Sequence, residues 1–477
     1  MSTAPVARPS YDRSDLTVGI VHFGVGGFHR AHQAMVLDTL MNRGLAHDWA
    51  ICGIGVLPAD QRMRDVLHAQ DGLYTLVLKH PDGAREARQI GSIVDYLYAP
   101  DDPDAAIERM ADPGVRIVSL TITEGGYNID QVSGAFDLTT TDVAADLKPD
   151  AVPRTVFGLV TEALRRRRDR GIPPFTVMSC DNIQGNGHVA QRVFTEFARQ
   201  KDADLGAWIA ENVSFPNSMV DRITPVTTDQ DRTEIAAEFG VEDAWPVVAE
   251  PFFQWVLEDA FPLGRPPYDE AGVQLVDDVE PYELMKLRLL NASHQGMCYF
   301  GRLSGYTYAH EAARDPLIAR FLLRYMVEEA TPTLRPVPGV DLDEYKRTLI
   351  ERFSNEYVLD TLARLCAEDR IPKWLLPVVR EELVAGGPVR LSAAIVASWA
   401  RYAEGTGENG ETFDVVDRVR DSVMAKAARQ REDPTAFLTD RSLFGDLIDD
   451  ERFVTEYTAA LDLLLRSGAQ ATLESLD

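Results

Sequence analysis

The chain has 477 residues, 45% of them hydrophobic and 26% charged, a composition typical of a folded globular protein with two or three domains. Its formal net charge of −27 disfavours nucleic acid and anionic membrane surfaces as partners, and it favours a neutral substrate over an anionic one. Neither a signal peptide nor a membrane span is recognisable, and four dispersed cysteines without a CxxC pair fit a reducing cytoplasm better than a disulfide or zinc scaffold.

The first half of the chain alternates strand and helix patterns. Strands are predicted at 17–23, 49–56, 74–78, 116–123 and 175–179, and helices at 32–41, 155–170 and 189–199. The run 116–123 (RIVSLTIT) is β-branched and mostly apolar, as expected for a strand covered on both faces. Four consecutive arginines, 165–168, are predicted to form the solvated C-terminal end of a helix. The alternation predicts an α/β fold with a mainly parallel, doubly wound sheet.

The second half of the chain has a different character. Strand patterns nearly vanish, and amphipathic helical patterns cover 281–305, 316–329, 341–352, 372–385 and 453–466. We therefore expect two domains: a sheet-containing domain over residues 1–280 and a mainly α-helical domain over residues 281–477.

A glycine-rich turn follows the first predicted strand. Its sequence is Gly24-Val-Gly26-Gly27-Phe28-His29, in which His29 replaces the third glycine of the GxGxxG pattern. Glycines between a strand and a helix let backbone amides approach a pyrophosphate. The turn therefore predicts a Rossmann-type dinucleotide site in the N-terminal domain, built by residues 24–28.

Asp60 lies shortly after the second predicted strand. A carboxylate there accepts hydrogen bonds from an adenosine ribose and repels a 2′-phosphate, which favours NAD over NADP. Its competing role is that of a helix N-cap.

Polar residues also follow two later strands, where open α/β sheets bind their ligands. Glu124 stands in TEGGY after the strand 116–123, and Asn182 stands in SCDN after the strand 175–179. Glu124 is suited to relaying protons and Asn182 to donating a hydrogen bond to a carbonyl or alkoxide, although each is also a common turn or cap residue. Asp221, in SMVDRITP, is suited to orienting a cation or to pairing with Arg222.

The helix pattern that opens the second domain carries Lys286, Asn291 and His294. At 100° per residue, Asn291 lies roughly 140° around an α-helix from Lys286, and His294 falls between them at roughly 80°. A desolvated lysine loses its proton more easily, so a lysine and an amide facing a buried space suit proton abstraction from an alcohol. Spacing by itself favours an ordinary amphipathic helix with a snorkelling lysine and a hydrogen-bonded histidine. No cluster of histidine, cysteine and acidic residues has metal-ligand spacing.

Together these segments resemble the polyol-specific long-chain dehydrogenase/reductase family. The resemblance is carried by the segments 19–33 (GIVHFGVGGFHRAHQ), 119–127, 176–182, 214–225, 245–259 and the helix with Lys286, and more weakly by 337–355. It implies an NAD-dependent, metal-free hydride transfer between a polyol and a ketose, and it is compatible with a monomer.

The resemblance also assigns roles to the candidate residues. It makes Lys286 the general base in oxidation and the acid in reduction, with Asn182 and Asn291 holding the reacting oxygen. Glu124 assists proton passage to solvent, and Asp60 is the acid that disfavours NADP.

Four further residues are assigned to the substrate site. His294 binds or orients the substrate, and Asp221 lies near the lysine or the sugar hydroxyl groups. Two cations after the lysine helix contact substrate hydroxyl groups. Arg364 matches the first of these cations. For the second we favour Arg370 over Lys373, in a segment that is shortened relative to the family.

The leading substrate pair is D-mannitol and D-fructose. A fructuronate reductase (a D-mannonate oxidoreductase) and a D-arabinitol dehydrogenase are the close alternatives, and a non-catalytic nucleotide-binding protein is the remote one. A uronate enzyme requires a cation aimed at a carboxylate, and the acidic chain favours the neutral polyol.

Overall fold

The chain divides after Glu280. In the computed structural model, which describes residues 6–129, 135–367, 370–408 and 410–477, Met1–Glu280 form unit 1 and Pro281–Asp477 form unit 2. The strands are β1 (Val18–Phe23), β2 (Ala50–Gly55), β3 (Tyr74–Lys79), β4 (Arg85–Ile90), β5 (Ile93–Tyr98), β6 (Ile117–Leu120), β7 (Thr176–Ser179), β8 (Ser218–Asp221), β9 (Val247–Ala249), β10 (Gln254–Glu258) and β11 (Gln274–Val276).

The helices are, in chain order, α1 (Gly27–Ala31), α2 (Gln33–Met41), α3 (Asp60–Ala69), α4 (Pro103–Ala111), α5 (Thr141–Asp146), α6 (Val156–Asp169), α7 (Asn186–Lys201), α8 (Ala203–Asn212), α9 (Asp229–Phe239), α10 (Glu280–Met285), α11 (Ala292–Leu303), α12 (Ala309–Arg314), α13 (Pro316–Tyr325), α14 (Leu342–Phe353), α15 (Leu362–Cys366), α16 (Leu376–Ala385), α17 (Arg390–Tyr402), α18 (Arg420–Ala427), α19 (Arg441–Phe444) and α20 (Glu451–Ser475). Among the described residues, three π-helical segments accompany them, Lys286–Asn291, Met326–Ala330 and Ile371–Leu375. Within the described ranges, none of these helices is long and apolar enough to cross a membrane.

A five-stranded parallel sheet organises unit 1. Its strand order is β5-β2-β1-β6-β7, and all four pairings are parallel. Side chains of β1 alternate between two cores, because Val21 and Phe23 pack on one face and Ile20 on the other. The apolar strands are therefore buried on both sides, and the predicted doubly wound Rossmann fold is confirmed.

The strand order reverses at β1. Strands β2 and β5 lie on one side of it, and β6 and β7 lie on the other. Phe23 pairs with Leu120 and Leu120 pairs with Ser179, so β1, β6 and β7 end level with one another. Ligands of open α/β sheets bind at this kind of switch point, beyond the carboxyl ends of the strands.

Two three-stranded sheets complete unit 1, in the orders β4-β3-β9 and β11-β10-β8. The strand predicted at 116–123 ends earlier than expected, at Leu120. Thr123 has a φ of +64°, which no strand accommodates, and the amide groups of Ile122 and Thr123 donate to Asp181 instead of a neighbouring strand.

The arginine run 165–168 is not wholly solvated as predicted. Arg167 is fully buried in α6 and donates to the backbone carbonyls of Met110, Asp112, Val115 and Pro173. Buried guanidinium groups require such acceptors, and these tie α6 to the loop before β6.

Unit 2 is mainly helical, as predicted. Its central helix, α17, is buried along its length and packs against α20 and α11. Three of the predicted helices contain or adjoin a π-helical segment, so the expected single helix 281–305 is α10, a π-helical segment and α11 in succession.

Candidate active site

The glycine turn after β1 has a backbone that only glycine at position 24 permits. Gly24 has a φ of +88°, and a Cβ atom there would lie 2.0 Å from the carbonyl oxygen of Thr121. The Thr121 hydroxyl donates to the Gly24 carbonyl at 2.7 Å, which joins the ends of β1 and β6. Around Gly26 and Gly27 the space is open, since added Cβ atoms would meet nothing closer than 3.8 Å and 3.5 Å.

Two buried histidines lie beneath this turn. The rings of His22 and His29 stack with centroids 3.4 Å apart, and both side chains are fully buried. Burial, followed by neighbouring imidazoles such as His32, lowers the pKa of both rings well below the ordinary value. Across the described ranges, no three histidine, cysteine or acidic residues are grouped as metal ligands would be.

Asp60 lies just beyond the end of β2, as the first residue of α3. A single carboxylate oxygen, Oδ2, accepts from the amides of Val56 and Leu57 at 2.9 Å each. The N-cap position belongs to Ala59, so the alternative of a helix cap is wrong, and Asp60 instead closes the turn that precedes it. Its second carboxylate oxygen is not used in these two bonds.

Glu124 and Asn182 follow the adjacent strands β6 and β7. Both side chains are partly exposed, and Glu124 begins a short 3₁₀ turn, Glu124–Tyr127. The structure therefore brings these two residues and the glycine turn to the same edge of the sheet. Asp221, by contrast, is buried at the end of β8 in another sheet, where it pairs with Gln254.

The polar network between β6 and β7 is built around Asp181. Its carboxylate accepts from the amides of Ile122 (3.1 Å) and Thr123 (2.7 Å) and from the hydroxyl of Tyr127 (2.8 Å). Burial raises the pKa of Asp181 to about 7, against these hydrogen bonds, which lower it. Sequence analysis did not single out Asp181, although a carboxylate directly before Asn182 was the available signal.

In unit 2, Lys286 and Asn291 stand at the two ends of the π-helical segment Lys286–Asn291. Both are buried, and Ala292 donates its amide to Leu287, five residues earlier. With this i→i+5 repeat, residues five apart lie one above the other, as residues four apart do in an α-helix. The predicted separation of roughly 140° is therefore wrong, because it assumed the 100° step of an α-helix. Lys286 and Asn291 share one face.

His294 lies in a buried, cationic environment. Nη1 of Arg370 donates to Nδ1 of His294 at 2.5 Å, and the Phe353 ring packs on the imidazole with centroids 4.4 Å apart. Burial, then Arg370, Arg364, Arg352 and Lys286 in that order, lower the pKa of His294 well below its usual value. A guanidinium only donates, so Nδ1 is the acceptor and the neutral ring carries its proton on Nε2.

The two candidate cations differ in their surroundings. Arg370 is buried beside His294, whereas Arg364 is 44% exposed and forms an ion pair with Asp360, which lies just before the start of α15. Lys373, the alternative to Arg370, is partly exposed in the π-helical segment Ile371–Leu375.

Comparisons with known proteins cover nearly the whole chain. A family model of the mannitol dehydrogenase Rossmann domain matches residues 18–270, and one of the mannitol dehydrogenase C-terminal domain matches residues 278–465. A mannitol 2-dehydrogenase of Phaeosphaeria nodorum is 48% identical over 474 residues, which are 98% of this chain and 83% of that protein. A mannitol 2-dehydrogenase of Aspergillus fumigatus is 46% identical over 479 residues, with coverage of 98% and 95%.

Two solved structures also match nearly the whole chain. Pseudomonas fluorescens mannitol 2-dehydrogenase, in a ternary complex with NAD and D-mannitol, is 44% identical with a TM-score of 0.91, covering 99% of this chain and 97% of that one. A D-sorbitol dehydrogenase in substrate-free form is 38% identical with a TM-score of 0.89, covering 98% of each chain.

Proposed function

Since this chain belongs to the mannitol dehydrogenase family, we propose that it oxidises D-mannitol to D-fructose with NAD and catalyses the reverse reduction. The observation that carries the proposal is the buried π-helical pair of Lys286 and Asn291, which places an amine and an amide on one face. Unit 1 is then the NAD-binding domain and unit 2 the substrate-binding domain. Relatives that are named mannitol 2-dehydrogenases support this choice of substrate.

The residues of unit 1 fit the proposed cofactor. The space above Gly26 and Gly27 is open, and the positive φ at Gly24, which glycine adopts without strain, directs the chain around it, as a pyrophosphate site at a strand–helix turn requires. We assign Gly24, Gly26, Gly27 and Phe28 to this site. Asp60 supplies a fixed negative charge at the end of β2, which favours NAD over NADP.

In the proposed mechanism, Lys286 removes the hydroxyl proton from the carbon that is oxidised. The chemistry that NAD supplies when bound is acceptance of the hydride from that carbon. Amide donors of Asn291 and Asn182 hold the reacting oxygen and stabilise its developing negative charge. In ketose reduction, the Lys286 ammonium returns the proton. An amine base and amide donors supply these functions without a metal, so we propose a metal-independent reaction.

Three groups would serve the proton path and the substrate. Glu124, partly exposed at the edge of the sheet, exchanges the proton with solvent. His294 donates from Nε2 to a substrate hydroxyl, because Arg370 occupies Nδ1. Arg364, Arg370 and Asp221 complete the set of residues that we assign to substrate hydroxyl groups.

A substrate panel tests the proposed function. D-Mannitol, D-arabinitol, D-sorbitol and D-mannonate are each supplied with NAD or NADP, with and without EDTA, and NADH or NADPH formation is followed at 340 nm. We expect the highest kcat/KM for D-mannitol with NAD, unchanged by EDTA. Preference for mannonate would favour the uronate alternative, and inactivation by EDTA would overturn the metal-free mechanism.

The catalytic assignment is tested with two buried lysines of unit 2. Lys286→Ala abolishes turnover and retains NADH binding, because it removes the base and not the cofactor site. Lys346→Ala is the matched control, since Lys346 is also buried and pairs with Asp343 at 2.8 Å. Loss of NADH binding in Lys286→Ala, or equal loss of activity in both variants, would make Lys286 structural.

The remaining assignments concern the state of the protein. We propose a monomer, which light scattering measures directly. The four cysteines are buried and free, which supports a cytoplasmic location.

A further inference from the structure

We propose that Asp181 is a positioning residue that holds the segment 121–127, and with it Glu124, in place beside Asn182. The inference rests on the proposed function, which gives Glu124 and Asn182 their roles. Asp181 itself acts through the backbone that it binds.

The contacts of Asp181 connect two strand ends. Its Oδ1 accepts from Thr123, and its Oδ2 accepts from Ile122 and from Tyr127, so three donors of the β6 loop converge on one residue of the β7 loop. The carbonyl of Asp181 in turn accepts from the Asn186 side chain at 2.9 Å, which anchors the β7 loop to the start of α7.

The segment needs such an anchor because its backbone is strained. Thr123, directly before Glu124, has a φ of +64°, a conformation that a β-branched residue rarely adopts. Strain of this kind persists only where the surroundings hold it in place, and it is concentrated at functional sites. One of the two amides that bind Asp181 is that of Thr123 itself, at the bond about which this φ is measured, and the other is that of the preceding residue, Ile122.

Burial of Asp181 is costly, which argues against a role in stability. The carboxyl is almost fully buried, and burial outweighs its hydrogen bonds in raising its pKa. The charge of Glu124 also raises the pKa of Asp181, in the same direction as burial. The hydroxyl of Tyr127, which donates to Asp181, lies 2.6 Å from the hydroxyl of Ser179. Because the Asp181 carboxyl is kept buried at this cost directly beside Asn182, we attribute its presence to the conformation that it imposes on the segment 121–127.

Asp181→Asn tests the proposal. An amide has one acceptor oxygen where the carboxylate has two, so at least one of the three donors loses its partner. We expect kcat for polyol oxidation to fall about 10- to 100-fold, as for a misplaced catalytic group. The Kd for NADH changes little, and hydrogen exchange of the amides of Ile122 and Thr123 becomes faster.

Asp146→Asn is the matched control. Asp146 is a buried carboxylate of unit 1 that likewise accepts from two backbone amides, of Arg154 and Thr155, and from a hydroxyl, away from the edge of the sheet that carries Glu124. This variant should speed exchange at Arg154 and Thr155 and leave kcat unchanged.

The outcomes separate the possibilities. A kcat in Asp181→Asn equal to that of Asp146→Asn, or a loss of kcat without faster exchange at Ile122 and Thr123, overturns the proposal. If Asp181→Asn does not fold, Tyr127→Phe decides, because it removes one donor and keeps the carboxylate. It should speed exchange in 121–127 and lower kcat by a smaller factor, and no change in either contradicts the proposal. A wild-type chain that oxidises no polyol refutes the proposed function, while the exchange rates still report whether Asp181 holds the segment.

Discussion

Arg370→Met separates a positioning role of Arg370 from a purely structural one. The substitution preserves an unbranched side chain and removes the donor that occupies Nδ1 of His294 at 2.5 Å. A hydrogen bond from a charged donor contributes about 1.5–3 kcal/mol, and 1.4 kcal/mol is a factor of ten, so kcat/KM for D-mannitol should fall about 10- to 150-fold. The free imidazole then takes either tautomer, and Nε2 no longer reliably donates to a substrate hydroxyl.

The pH dependence provides a second, independent readout. Arg370 is the largest charge effect that lowers the pKa of His294, after burial. Its removal raises that pKa, so the protonated ring accumulates at a higher pH, and the acid limb of ketose reduction moves toward neutral pH.

Arg401→Met is the control for loss of a buried arginine in unit 2. Arg401 donates to the Thr406 carbonyl at 2.7 Å and pairs with Glu404 at 3.1 Å. Steady-state kinetics with D-mannitol and D-fructose between about pH 5 and pH 9, a range that spans the ordinary histidine pKa, should separate the two variants. Equal losses in both, or an unshifted acid limb in Arg370→Met, would refute the assignment of Arg370 to His294.

Three further predictions concern the cofactor, the base and acid stability. Asp60→Asn should raise kcat/KM with NADP about tenfold, because it removes the charge while one amide oxygen still accepts from Val56 and Leu57, and no gain with NADP would contradict the assignment. Mannitol oxidation should accelerate from about pH 6 to pH 10 as the Lys286 amine becomes neutral, whereas a flat profile with chemistry rate-limiting would count against a lysine base. The pKa of His29 is depressed in the folded protein, so the stability that it contributes is present above pH 6.5, its value in the unfolded chain, and is lost as the pH falls below that value. Below pH 6.5, the difference in free energy of unfolding between wild type and His29→Phe, measured with urea, should therefore change by about 1.4 kcal/mol per pH unit. A difference that stays constant with pH would refute this prediction.

Much of the fold of unit 1 could be predicted because its signals are local. Apolar β-branched runs mark the buried strands, and the glycine turn marks the crossing from β1 to α1. Glu124 and Asn182 follow two of the predicted strands, and they lie at one edge of the sheet because the carboxyl ends of parallel strands meet there. Of the two small sheets, β3 was predicted at 74–78, whereas the three-residue strands Val247–Ala249 and Gln274–Val276 were missed because they carry almost no periodicity.

The candidate residues of unit 2 could be named from the sequence, but their arrangement in space could not. Lys286 and Asn291 are candidates by their chemistry and by the family resemblance. An α-helix and a π-helical segment bury the same apolar residues, so hydrophobic patterning does not distinguish the two helix types. The partner of His294 lies 76 residues further along the chain, and no local rule connects the two. Asp181 was overlooked for the same reason, because its importance lies in donors more than 50 residues away.

The π-helical segment explains how unit 2 presents the two proposed catalytic groups with little freedom. In an α-helix, Lys286 and Asn291 would point in directions roughly 140° apart around the helix axis. The i→i+5 repeat places them on one face at the cost of weaker backbone geometry, and such segments are rare in proteins and frequent at functional sites. Both side chains are buried by the surrounding helices, so the position of the proposed base relative to the proposed oxygen-binding amide is fixed before substrate arrives.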